Sequence, residues 1–135
     1  MYRRMSSFAG YGILENGESS TLPHFGAKVR VEVYLPKRHA RPYRDALVWL
    51  IDELTALRGG CTVHENATGL YRSQSSSFIE DRICVVYSDF EMDWSQSEEQ
   101  AEVLEYCVIL KKFLFDNLWE EEILITAYPV AHVSQ

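Results

Sequence analysis

The clearest pattern in the chain is the alternation of Lys28 to Pro36, KVRVEVYLP. Val29, Val31, Val33 and Leu35 fall on one side, Arg30, Glu32 and Tyr34 on the other. A period of two predicts a strand with one buried face, ended by Pro36. The period then changes. Tyr43, Ala46, Leu47, Leu50, Ile51, Leu54 and Leu57 recur at spacings of three and four, the stripe of a helix laid on a core. Pro42 stands where a first helical turn tolerates a missing N–H, and Gly59-Gly60 stop the helix.

Beyond the glycines, Cys61 to Glu65 and Leu70 to Ser73 are short pieces separated by Asn66-Ala67-Thr68-Gly69, whose composition predicts a turn. Asp81 and Asp89 bound the run RICVVYS. These are the expected second and third strands, joined through the polar loop Gln74 to Ser77. In DWSQSEEQ, Ser97 and Gln100 have the spacing of a capping box, and Glu98 and Glu99 suit the positive end of a helix dipole. The helix predicted from about Glu98 to Leu118 has Leu104, Cys107, Val108, Lys111, Leu114 and Leu118 on one side, widened by Val103, Leu110 and Phe113. The last strand, from Ile123 to about Val133, contains Pro129, which favours a sheet edge or a bulge.

The order β-α-β-β-α-β predicts an α+β, ferredoxin-like domain over residues 28–135: a four-stranded antiparallel sheet of order 4-1-3-2 with both helices on one face. Residues 1–27 hold four of the seven glycines and show no period, so they read as an ordered arm outside the core. Phe8, Tyr11, Ile13, Leu14 and Phe25 are its anchors, onto its own domain or a neighbouring subunit.

Composition narrows the function classes. A chain of 135 residues fits one domain able to bury roughly two-thirds of its unfolded surface without staples. Cys61, Cys84 and Cys107 are odd in number and form no C-x-x-C pair, so they read as reduced core residues. No window approaches the roughly 20 apolar residues of a membrane span, and no leader-like apolar run follows the first arginines; a cytoplasmic protein is the expectation. The net charge of −7 argues against nucleic acid. That charge is uneven: residues 1–72 carry ten basic and seven acidic side chains, residues 73–135 three and thirteen, an asymmetry able to orient a partner or second subunit.

Candidate chemistry follows from strand parity. If Val29, Val31 and Val33 face the helices, then Arg30, Glu32 and Tyr34 emerge on the open face, joined by Thr62 and His64 and by Thr126 and Tyr128. Two strand spacings of about 4.8 Å put His64 roughly 10 Å from Glu32, too far for a direct acid–base pair. The loop PKRHARPYR gathers Lys37, Arg38, His39, Arg41 and Arg44 at a helix start, a place suited to a phosphate, a carboxylate or the acidic half of another subunit. His64-Glu65-Asn66 lacks the second histidine of a zinc helix, since Thr68 stands there. SDFEMDW has Trp94 and Gln100 where a calcium loop needs glycine and glutamate. No metal or cofactor is expected.

Gly59-Gly60, Cys61-Thr62-Val63, the turn, Gly69-Leu70-Tyr71-Arg72 and the run ending Val86-Tyr87 together resemble small bacterial proteins of unknown function with a ferredoxin-like fold. Their signature is a Gly-x-Thr-Val hairpin followed by Gly-x-aromatic. The resemblance spans about residues 28–133 and implies the fold, with no reaction and no functional residues; Tyr71 is expected to pack. Two readings follow. One is a noncatalytic small-ligand-binding or regulatory module, acting as a homodimer, that uses the open face or the basic loop for a small acidic ligand or a protein partner. The other is a cofactor-free enzyme of the dimeric α+β barrel kind, an isomerase or oxygenase with His64 or Tyr34 in its cavity. A closed cavity around His64 would favour the enzyme, an open solvated face the module.

Overall fold

The valine side of the first strand sets the layering. In the computed structural model, which describes residues 24–134, β1 (His24–Pro36) carries Val29, Val31, Val33 and Leu35 into the core with essentially no exposure. Over that side lie α1 (Arg41–Arg58) and α2 (Ser97–Asn117), whose Leu50, Leu54, Val103, Leu110 and Leu114 belong to the same core. β2 (Thr62–Arg72), β3 (Phe78–Phe90) and β4 (Leu124–Ser134) complete an antiparallel sheet of order β2-β3-β1-β4, the expected ferredoxin-like arrangement. Pro129 lies on β4, an edge strand as its missing N–H requires. Pairing of β1 with β4 begins at His24, so residues 24–27 belong to the sheet rather than to an arm. The anchors Phe8, Tyr11, Ile13 and Leu14 and the side chain of Phe25 lie outside the described residues. Among the described residues no helix is long and apolar enough to cross a membrane.

The ends of α1 form as the residues dictate. Pro42 occupies the first turn, and Gly59 takes the left-handed conformation, φ 79°, from which its N–H donates to the Thr55 carbonyl at 2.7 Å. The buried Ser88 hydroxyl donates to the Gly60 carbonyl at 2.9 Å, tying this turn to β3. At the other end of α1, Arg38 grips Asp81 through Nη1 and Nη2 at 2.6 and 3.0 Å and reaches Glu120 through Nε at 3.3 Å. Tyr43 donates to the same Glu120 at 2.7 Å. One guanidinium thus joins the β1–α1 loop, β3 and the segment before β4.

Three local expectations are corrected. Asn66 to Gly69 is not a turn: β2 runs unbroken from Thr62 to Arg72. His64 faces Val85 and Ala67 faces Ile83, so three steps along β2 answer two along β3, and the extra residue is a bulge. Pairing with β3 satisfies the backbone there, which outweighs local turn preference. Gly69 serves a close contact instead, because a Cβ at that position would run into Ile83 Cδ1. The capping box does not form either. Gln96 is the cap residue and its side chain makes no capping bond to the helix, whereas Asp93 accepts from Ser95 N and Oγ at 2.9 and 2.6 Å and Glu99 accepts from Asp93 N at 3.0 Å.

The third correction is the inner face of α2. Val103, Tyr106, Leu110 and Leu114 are buried, whereas Leu104 and Val108 are 47% and 67% exposed and Lys111 faces outward to Glu122. Tyr106 decides the rotation. Its ring meets Phe90 edge to face at 5.9 Å while its hydroxyl reaches Glu53 at 3.1 Å, so a polar tip lets an aromatic body stay inside. Trp49 stacks on Phe113 at 3.8 Å between the helices.

Two substitutions separate the two assignments of this face. Leu110→Ala should cost about 2–5 kcal/mol in urea-induced unfolding, whereas Val108→Ala should stay within about 0.5 kcal/mol of the parent. Similar losses for both would restore the face read from the sequence.

Candidate functional site

Strand parity delivers the open face as expected. Arg30, Glu32 and Tyr34 of β1 stand opposite Asp89, Tyr87 and Val85 of β3, and opposite Tyr128, Thr126 and Leu124 of β4. His64 joins them from β2. Of these, Arg30, Glu32, Tyr34, Val85, Tyr87 and His64 line a trough of about 630 Å3, open to solvent, whose wall on the β2 side is Val63, His64, Glu65, Asn66 and Ala67. The bulge lies in that wall, and the two residues within it, Glu65 and Asn66, are exposed.

Two sets of contacts organise the trough. The first is a file of flat groups across three strands: His64 of β2 stacks on Tyr87 of β3 at 5.8 Å between centroids, and the guanidinium of Arg30 on β1 lies 4.2 Å from the Tyr87 centroid. Arg30 also donates Nε and Nη2 to the two Asp89 oxygens at 2.7 and 3.0 Å. That fork-to-fork pair raises the guanidinium pKa against the opposing effect of burial, so the charge is fixed.

The second set is centred on Glu32. Its Oε2 accepts from the Tyr34 hydroxyl at 2.7 Å and its Oε1 accepts from the Tyr128 hydroxyl. Both phenols are held above their ordinary pKa, chiefly by this hydrogen bond, then by burial and by the carboxylate's charge. No hydrogen bond joins His64 to Glu32 among the described residues. Thr126 Oγ1, opposite Glu32, is buried and has no partner among them.

The eight expected site residues therefore divide. Arg30, Glu32, Tyr34 and His64 share the trough. Lys37, Arg38, Arg41 and Arg44 do not gather into one cradle: Arg38 is held by Asp81 and Glu120, the exposed Arg41 sits 3.7 Å from Asp45, Lys37 reaches Asn66 at 3.4 Å, and Arg44 is exposed on α1. Tyr71, expected to pack, is 42% exposed. Asp89 and Val85 were not legible as site residues. Asp89 reads as the acidic end of a strand, and Val85 as one of a continuous apolar run; only the register against β1 places both beside Arg30 and Tyr34. Comparison with protein-family models, curated proteins and solved structures finds no match.

The tyrosine pair yields a pH prediction. A phenol whose folded pKa is raised contributes stability that is complete below its unfolded value, near 10.0, and is lost as pH rises through the folded value. Beside Tyr43, which burial and then Glu120 also hold up, ultraviolet titration of the parent should show Tyr34 and Tyr128 ionising late. In Glu32→Gln they should ionise earlier, and stability should fall less steeply above pH about 10.

Proposed function

We propose that the chain is a noncatalytic binding module that takes a small ligand in the trough of its open sheet face and works as a homodimer. The observation that carries this reading is the state of the trough's ionisable groups. Arg30 is bound to Asp89, and Glu32 to two phenols, while His64 is stacked on Tyr87. Among the described residues no side chain hydrogen-bonds to His64 to form an acid–base pair with it, and the trough opens to water rather than enclosing it, which weighs against the cofactor-free enzyme.

The lining suits a planar ligand bearing donors and acceptors. Tyr34, Tyr87 and His64 offer rings, Val85 and Ala67 offer apolar contact, and Glu65 and Asn66 offer polar groups at the rim. An acidic substituent on such a ligand would be placed at Arg30, the cation of the lining.

A thermal-shift screen of small planar carboxylic acids tests this directly. A specific ligand at about 100 times its Kd should stabilise the parent by about 2.7 kcal/mol, and the shift should vanish in His64→Ala, a change at an exposed position. A stabiliser indifferent to His64→Ala would place the ligand elsewhere. Turnover of the stabiliser, abolished by His64→Ala with an unchanged melting temperature, would establish the enzyme instead.

A further inference from the structure

The far half of the β2–β3 hairpin is a two-stranded ribbon without a core of its own. In the body of β3 the helix side carries Cys84, Val86, Ser88 and Phe90, all buried. On the same side of the far half, Thr68, Leu70, Arg72, Phe78, Glu80 and Arg82 are all exposed, with Leu70 at 72% and Phe78 at 77%. Tyr71 is exposed on the other side. A ribbon of two strands is marginal in water unless a third strand or a covering element supports it.

The two edges of the sheet also differ. β4 presents Pro129, which cannot donate to a further strand. β2 has no proline and no lysine, and its irregularity is confined to the bulge between His64 and Ala67. From Ala67 to Arg72 its pairing with β3 is regular, and among the described residues no strand lies on its outer side.

We propose that this edge receives the same strand of a second copy, antiparallel and about a two-fold axis perpendicular to the sheet, giving one continuous eight-stranded sheet. The inference rests on the homodimer part of the reading above and is independent of the trough's ligand. Such an axis preserves the faces, so it must lie midway between the two copies of one residue and pair positions of equal parity. Centred on Leu70, it sets Leu70 against the second copy's Leu70, Tyr71 against Gly69, and Thr68 against Arg72. Each pair suits its partner. Gly69 has no side chain of its own and Ile83 Cδ1 occupies the place its Cβ would take, so the second copy's Tyr71 ring would pack over Gly69 against Ile83. Leu70 meets its own kind, and the threonine hydroxyl faces a guanidinium.

The register makes the test specific in sign. Sedimentation equilibrium of the full chain should give a mass about twice 15.6 kDa. Leu70→Lys sets two like charges opposite each other, and Thr68→Lys sets lysine against Arg72 twice; each should weaken dimerisation on the order of tenfold or more. Thr68→Glu should strengthen it by a similar factor. Both positions are solvent-exposed, and far-ultraviolet circular dichroism of all three variants should match the parent. Leu124→Lys, on the exposed end of the open face, should leave the dimer intact. A monomeric parent, a dimer that survives Leu70→Lys, Thr68 variants that do not differ in sign, or a dimer dissolved by Leu124→Lys would each overturn the proposal. Ligand stabilisation abolished by His64→Ala would be unaffected by any of these outcomes.

Discussion

The structure depends on the direction in which one strand faces. β1 is hydrogen-bonded on both sides, to β3 and to β4, so its parity is transmitted in register to each neighbour. With Val29, Val31, Val33 and Leu35 inside, the apolar stripes of α1 and α2 have a surface to close on. A slip of one residue would turn Arg30, Glu32 and Tyr34 inward and leave two helices without a floor. The desolvation of two charges and the loss of at least four buried aliphatic side chains make that alternative untenable by many kcal/mol.

The same parity explains why the open face is polar without being reactive. Arg30 is neutralised across strands by Asp89 and Glu32 is held by two phenols; where charges pair on this face, the partners come from opposite halves of the sequence. Arg30 and Arg38 lie in the basic first half; Asp89, Asp81 and Glu120 lie in the acidic second half. Part of the charge asymmetry read along the chain is thus internal complementarity, converted by folding into ties between β1, its following loop and the later elements. Half-exposed pairs of this kind contribute modestly each, but they fix geometry where they are bidentate.

Legibility followed the origin of each constraint. β1 and α1 were readable because their periodicity, Pro42 and Gly59-Gly60 are local causes of local structure. β2 was not: Asn66 and Gly69 carry turn chemistry, yet the ladder to β3 holds the chain extended, and only the tertiary contact with Ile83 reveals what the glycine is for. The α2 stripe was misplaced for a related reason. Leu104 and Val108 are more apolar than Tyr106, but Tyr106 alone can satisfy its polar atom on Glu53 while filling the space beside Phe90. The trough was half visible. Arg30, Glu32, Tyr34 and His64 follow from parity, as does the place of Tyr128 on the open face, whereas Asp89 acquires its role and Tyr128 its bond to Glu32 from cross-strand register, which no single segment encodes.

The seam between β1 and β4 has a consequence for how the molecule assembles. His24 pairs with Ser134, and the ladder continues from there to Tyr34 and Leu124, so this seam closes the longest loops in the described chain. The β2–β3 ribbon, by contrast, is joined by a tight serine turn and needs almost no chain entropy to form. The non-local pairing carries the larger loop-closure cost, and the strand that brings it is β4. Until it docks, one side of β1 is an unprotected edge. A nascent chain in that condition is most open to mispairing just before its last eleven-residue strand arrives.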